Sequence, residues 1–180
     1  MTPESLPLEV LQQIPLFAGM TANECQQMAN ISLVTKYEAG EVILRQGKST
    51  RNLWIVLDGS CEVIKYLDGA EDKPTVLAEF GLYCNFGEMS FFEDRPQSAT
   101  VRAKTPMMLL QIRREAFDAL AEQAEGAAYK LALNAITSLA QRLRQMSEWV
   151  AKLSAAAPAE AERVPEWSQL RERLFDKWNL

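Results

Sequence analysis

Short apolar segments separated by turn residues dominate the chain between positions 31 and 112. Six of the eight glycines fall in this part, 6 to 12 residues apart, at positions 40, 47, 59, 69, 81 and 87. This spacing is typical of an antiparallel β-sandwich or barrel. The apolar runs that we predict as strands are residues 31–37, 42–44, 53–57, 61–67, 75–80, 99–103 and 107–112.

The pattern also predicts how some of these strands are arranged. Residues 53–57 are apolar throughout, which indicates a strand buried on both faces. Asp58-Gly59 and Asp68-Gly69 are turn dipeptides. We therefore predict a hairpin between the 53–57 and 61–67 strands, followed by a second chain reversal.

Two short helices are predicted before the β region. The second begins at Thr21-Ala22-Asn23-Glu24, a capping box in which the Thr hydroxyl and the Glu carboxylate each bind a free backbone N–H group. The segment Ile14-Pro15-Leu16-Phe17 is predicted as the hinge between the two helices.

A long helix is predicted after the β region, from about residue 126 to residue 153. Neither Gly nor Pro occurs between Ala127 and Ala157. Apolar residues alternate at spacings of three and four, which is the heptad pattern of a paired helix. This pattern favours a homodimer through residues 129–153 over a helix packed only on its own domain. The heptad positions are Tyr129, Ala132, Ile136, Leu139, Leu143, Met146, Val150 and Leu153.

An Ala/Pro/Glu linker and an amphipathic helix are predicted at the end of the chain. Pro165 suits the first turn of that helix, and Trp167, Leu170, Leu174 and Trp178 form its apolar stripe. We expect the tail 165–180 to dock on its own dimer or to bind an unknown protein partner. The predicted organisation is N-terminal helices (1–30), a β-roll (31–113), C-terminal helices (114–153) and a linker with the tail helix (154–180).

Composition narrows the classes of function. The 180 residues carry a formal charge of −5, which argues against a protein that coats nucleic acid or an anionic membrane. No apolar run is long enough to span a membrane and the N-terminus lacks an export signal, so we expect a cytoplasmic protein without membrane insertion. The absence of histidine excludes His-based catalytic triads and His-ligated metals. Cys25, Cys61 and Cys84 are expected to be reduced thiols, and we expect no catalytic residue, metal site or cofactor.

The segment 86–103 holds most of the candidate ligand-binding residues. Phe86-Gly87-Glu88-Met89-Ser90 predicts a glycine turn and one turn of helix beginning near Glu88, followed by a polar loop and a strand entered at Ser98. A helix start that points into a β-roll offers free N–H groups to an anion. A carboxylate there suits a ligand that also presents hydroxyl donors, as a ribose does. The alternative is that Glu88 is satisfied by its own helix amides.

These motifs resemble a cyclic-nucleotide-binding domain of the catabolite activator protein type, over roughly residues 8–153. The resemblance rests on the 86–90 and 96–103 stretches, the Gly40, Gln46-Gly47 and 53–59 framework, and the long helix. It implies a mainly β fold, a jelly-roll-like antiparallel β-roll of about eight strands with N-terminal helices and a long C-terminal dimerisation helix. It also implies a non-enzymatic regulatory module that binds cAMP, cGMP or a related cyclic nucleotide and signals to a partner protein. The alternative is an interaction protein on the same fold that no longer binds nucleotide.

The resemblance also implies a ligand site. In the family a Glu binds the ribose hydroxyl, an Arg pairs with the cyclic phosphate, and amides of the short helix complete the site. Here the arginine position holds Gln97, and a neutral amide should weaken phosphate binding by roughly one to two orders of magnitude. Arg95 either reaches the same pocket along an extended loop or faces solvent beside Glu93 and Asp94. The expected ligand-binding residues are Gly87, Glu88, Met89, Ser90, Arg95, Gln97, Ser98, Ala99 and Ser147.

Recognition of the base is expected on the long helix. In dimeric relatives a polar pair there contacts the purine, and the resemblance puts Met146 and Ser147 at that pair, although Met146 also suits the heptad core. Thr137 and Ser138 are the alternative base contacts. Relatives that bind DNA carry a helix-turn-helix after this helix. The short stretch after residue 153 has no room for one, so we expect no direct DNA binding.

Overall fold

Two antiparallel sheets of four strands each form the β-roll within residues 6–66, 74–123 and 125–156, the part of the chain that this computed structural model describes. The first sheet has the order β1-β8-β3-β6 and the second the order β2-β7-β4-β5. This architecture confirms the predicted jelly-roll-like fold. The strands are β1 (Ser32–Tyr37), β2 (Val42–Leu44), β3 (Asn52–Asp58), β4 (Cys61–Lys65), β5 (Thr75–Phe80), β6 (Asn85–Phe86), β7 (Thr100–Ala103) and β8 (Met107–Arg113).

Five α-helices accompany the sheets in the same described ranges. They are α1 (Leu8–Gln13), α2 (Ala22–Asn30), α3 (Glu88–Glu93), α4 (Arg114–Gln123) and α5 (Glu125–Ala156). A 3₁₀ turn, Pro15–Phe17, occupies the predicted hinge between α1 and α2. The capping box at the start of α2 is confirmed, because Thr21 N donates to Glu24 Oε2 at 2.6 Å and Glu24 N donates to Thr21 Oγ1 at 3.3 Å.

Strand β3 contributes to both layers of the core, which confirms the prediction for residues 53–57. Leu53 and Ile55 pack with the helices in one apolar cluster, whereas Trp54 and Val56 belong to a second cluster shared by the two sheets. Because successive strand residues point to opposite faces, a strand between two apolar layers must be apolar at every position.

The hairpin predicted between residues 53–57 and 61–67 is wrong. Strand β3 pairs with β6 and β8, and β4 pairs with β5 and β7, so the chain changes sheets at Gly59. Gly59 has φ +82°, and a Cβ there would lie 2.3 Å from Pro106 O. Ser60 N donates to Thr105 Oγ1 at 3.0 Å, which holds this corner against the turn before β8. The packing of two distant turns therefore overrides the local preference for a hairpin.

The chain divides into two compact units, residues 1–136 and 137–180. In the first unit, α5 buries Ala127, Ala128, Leu131 and Ala135 and leaves the predicted heptad positions Tyr129 and Ile136 exposed. In the second unit, the heptad positions Leu143, Met146 and Val150 of α5 are likewise exposed. The Leu153 side chain, the Asp68-Gly69 turn, the linker and the 165–180 tail lie outside the described residues, and the predicted domain boundaries stay predictions.

The three cysteines are free, with Cys25 and Cys61 buried and Cys84 half-buried, as predicted for reduced thiols. Burial, with a smaller effect of the neighbouring Cys84, raises the pKa of the Cys61 thiol to about 12, so this thiol stays protonated at neutral pH. None of the described helices is both long and apolar enough to cross a membrane.

Candidate functional site

Helix α3 is held against strand β3 by the close approach at Gly87. This residue has φ +82°, and a Cβ there would lie 2.6 Å from Asn52 O and 2.9 Å from two ring atoms of Trp54. Only glycine combines this backbone conformation with that clearance. The short helix predicted to begin near Glu88 is confirmed and spans Glu88–Glu93.

The other end of α3 is fixed to α4 through an aromatic cluster. The Phe91 ring packs edge-to-face against Phe92 and Phe117, with ring centroids 5.0 and 5.3 Å away. Arg114 of α4 donates from Nη1 to Phe91 O at 2.8 Å, and its guanidinium carbon lies 5.5 Å from the Phe91 ring centroid. A displacement of α3 is therefore coupled to α4 by both packing and a hydrogen bond.

The predicted ligand residues of α3 divide into buried and exposed ones. The Glu88 carboxylate is buried at 4 % exposure and accepts a hydrogen bond from Asn85 Nδ2 at 3.4 Å. Ser90 is buried as well, whereas Met89 is 48 % exposed. The Ser98 hydroxyl donates to Met89 Sδ at 3.8 Å, so α3 and the segment that leads into β7 lie together as the motif predicts.

Gln97 is bound to the loop between β2 and β3. Its side chain is buried, and Nε2 donates to Thr50 O at 2.8 Å and to Thr50 Oγ1 at 3.1 Å. The backbone makes two further bonds, from Gln97 N to Lys48 O and from Gly47 N to Gln97 O, both 2.9 Å long. The residue at the family's arginine position thus uses its amide to join two loops.

The remaining predicted site residues lie in different surroundings. Arg95 pairs with Glu93 at 3.0 Å and its side chain is 76 % exposed, which corresponds to the solvent-facing alternative. Ala99 is half-buried just before β7. Ser147 lies in the second unit, where its hydroxyl donates to Leu143 O at 2.9 Å, and the alternative base contacts Thr137 and Ser138 belong to the same unit.

Residues 34–124, half of the chain, match the family model of the cyclic nucleotide-binding domain. The chain belongs to this family. The cAMP-dependent protein kinase regulatory subunit of Blastocladiella emersonii is 31 % identical over 110 residues, which cover 61 % of this chain and 27 % of the subunit. The chain thus spans about a quarter of that relative's length.

Solved structures agree with this assignment. The catabolite activator protein of Thermus thermophilus is 28 % identical with a TM-score of 0.67, and the match covers 78 % of this chain and 63 % of that protein. The regulatory subunit of a cAMP-independent protein kinase A from Trypanosoma brucei is 25 % identical with a TM-score of 0.65, covering 84 % of this chain and 52 % of that one. The predicted resemblance to the catabolite activator protein type is therefore confirmed.

The sequence did not indicate that Lys65 lies beside the candidate site of this cyclic nucleotide-binding domain. Lys65, the last residue of β4, donates from Nζ to Ser98 O. The contact follows from the antiparallel pairing of β4 with β7, in which Ile64 lies opposite Thr100. A single lysine within the predicted 61–67 strand carries no sequence signal for this contact, because the register of two strands far apart in the chain decides it.

Proposed function

We propose that this domain is a non-enzymatic regulatory module that binds cAMP or cGMP and signals its occupancy to a partner protein. The main support for this proposal is that the Gly87–Ser90 and Ser98–Ala99 segments lie together, linked by the hydrogen bond from Ser98 to Met89. The buried Glu88 carboxylate belongs to the first of these segments. These are the segments that hold ribose and phosphate in the family. The match to regulatory subunits of cAMP-dependent protein kinase supports the same function.

Occupancy would be communicated through α3. Suppose that α3 can adopt a second, displaced position. A ligand that binds the protein more tightly with α3 in that position than in the position described above shifts the population towards the displaced state. Phe91 links α3 to α4 through the Phe117 ring and through the Arg114 hydrogen bond, so the displacement would move α4 as well. The movement of α3 and α4 would change the surface of the first unit, and a partner protein would bind the ligand-bound and ligand-free surfaces with different affinity.

We further propose that the module is a homodimer through α5. The heptad positions Tyr129, Ile136, Leu143, Met146 and Val150 are between 56 % and 66 % exposed in the single chain. A stripe of apolar residues with a 3.5-residue period is covered by a second helix of the same pattern. Ser147 lies next to Met146 on this helix, so the dimer would also bring the predicted base-contacting residue of each copy to its seam.

A second candidate function has one observation in its favour. The Gln97 amide bonds to Thr50 and supplies no formal charge for a phosphate. The related Trypanosoma brucei subunit is described as belonging to a cAMP-independent kinase. An interaction protein that keeps the fold without sensing a nucleotide is therefore the alternative.

Calorimetry with cAMP and cGMP distinguishes the two functions. Sensing predicts measurable binding by the wild-type protein, about tenfold tighter binding by Gln97→Arg because it adds about 1–2 kcal/mol of charge-assisted contact, and weaker binding by Glu88→Ala. Glu9→Ala, an exposed carboxylate of α1 outside the site, is the control and should bind like the wild type.

The other outcomes assign the function differently. If the wild type binds neither nucleotide and only Gln97→Arg binds one, the pocket keeps the family's shape but has lost nucleotide binding. The protein would then be assigned as an interaction protein. Absence of binding in both proteins would overturn nucleotide sensing altogether. Tight wild-type binding that is lost in Arg95→Ala would show that Arg95 contacts the phosphate.

A further inference from the structure

We propose that Lys65 supplies the positive charge for the ligand's phosphate, in place of the arginine that the family carries at position 97. This inference rests on the proposed function, because it takes the ligand to be a nucleotide with an anionic phosphate diester. Lys65 Nζ donates to the carbonyl oxygen of Ser98, the residue that directly follows Gln97. A cation is thus already in contact with the segment that holds the phosphate in the family.

The Gln97 side chain does not compete for this role. Its Nε2 donates to Thr50 O and to Thr50 Oγ1, its backbone N donates to Lys48 O, and its backbone O accepts from Gly47 N. A primary amide has two donor hydrogens, and two acceptor atoms already occupy this nitrogen. Binding a phosphate through Gln97 would require that it leave Thr50.

Gln46 fixes the backbone next to Lys65 relative to the phosphate segment. Its Nε2 donates to Tyr66 O and its Oε1 accepts from Tyr66 N, both at 2.9 Å. The backbone N of Gln46 donates to Thr100 Oγ1 at 3.1 Å. One residue thus ties the end of β4 to the start of β7, which holds the base of the Lys65 side chain close to Ser98.

The charge of Lys65 remains available to an anion. Among the described residues its ammonium makes no ion pair, and its partner is a neutral carbonyl oxygen. An ammonium has three donor hydrogens on a flexible stem, so it can keep the carbonyl and bind a phosphate oxygen as well. Three arginines near the site pair with carboxylates instead: Arg51 with Asp94 at 3.5 Å, Arg95 with Glu93 at 3.0 Å and Arg102 with Glu62 at 2.6 Å.

Calorimetric titration with cAMP and cGMP, and with uncharged adenosine for comparison, tests the assignment. Lys65→Met should weaken nucleotide binding about tenfold or more and leave adenosine binding unchanged, because only the nucleotides carry the phosphate. Lys65→Arg should keep the affinity within a few-fold. Lys36→Met, an exposed lysine of β1 in the other sheet, is the matched control and should bind like the wild type.

Moving the charge gives an independent check. Adding Gln97→Arg to Lys65→Met should restore nucleotide binding, since a cation returns to the same segment. Unchanged nucleotide binding by Lys65→Met, or an equal loss of nucleotide and adenosine binding, would overturn the role of Lys65 and leave the proposed function intact. Wild-type protein that binds neither nucleotide would overturn both proposals. Circular dichroism melting of each variant verifies that it is folded.

Discussion

At the scale of single residues, Glu24 combines two stabilising roles. Its carboxylate completes the capping box of α2 and also accepts a hydrogen bond from Lys130 Nζ of α5 at 2.7 Å. The bond from Lys130, and then that from the Thr21 backbone, lower the pKa of Glu24 from 4.5 to about 2. The folded protein therefore stabilises the ionised form of Glu24 relative to the unfolded chain.

We expect the stabilisation by Glu24 to depend on pH. A lowered folded-state pKa contributes stability that is complete above the unfolded pKa of 4.5 and is lost as the pH falls towards the folded pKa of about 2. Glu24→Gln should therefore unfold at lower urea concentration than the wild type at pH 7, and the difference should shrink steadily between pH 5 and pH 2. Glu122→Gln, an exposed carboxylate of α4, is the control and should show little effect. A difference that stays constant with pH would contradict this account.

At the scale of elements, the placement of α3 depends on the glycine that precedes it. Gly87 and Gly40 both have positive φ, at +82° and +88°, but only at Gly87 would a Cβ collide with neighbouring atoms. Alanine at Gly40 therefore measures the cost in stability of the backbone conformation alone, and alanine at Gly87 adds to it the cost of displacing α3.

Gly87→Ala should destabilise the protein more than Gly40→Ala. We expect about 1 kcal/mol for Gly40→Ala, from the left-handed backbone alone, and about 3 kcal/mol or more for Gly87→Ala, where the methyl group also pushes α3 away from Asn52 O. Urea unfolding measures both free energies, and calorimetry should show weaker nucleotide binding only in Gly87→Ala. Equal costs in the two variants would mean that α3 adjusts to a side chain at this position.

At the scale of the whole molecule, the proposed dimer through the exposed stripe of α5 can be tested with one substitution. Leu143 is 56 % exposed in the single chain and occupies a heptad position. Leu143→Glu would bury a charge from each copy in the dimer seam and should therefore shift the protein to monomers. Gln145→Glu, an exposed neighbour outside the heptad positions, is the control and should leave the dimer intact. Sedimentation velocity at micromolar concentration measures both, and a wild-type monomer there would contradict the proposal.

The amino-acid sequence by itself determined the features that depend on neighbouring residues. The capping box at Thr21, the helical turn after Gly87 and the burial of residues 53–57 all follow from local hydrogen bonding or from side-chain periodicity. The order of the motifs along the chain also identified the family, because a shared fold preserves the spacing between its strands and loops. Such features need no knowledge of which distant segments meet.

Only the tertiary structure decided which distant segments lie together. Strand β6 has two residues, too few for a periodic signal, and forms because β3 offers it an edge at Trp54 and Ile55. The crossing at Gly59, the bonding of Gln97 to Thr50 and the contact of Lys65 with Ser98 all arise between segments separated along the chain. Their common physical reason is that strand register and the packing of the two sheets, not local propensity, determine which backbone and side-chain groups meet.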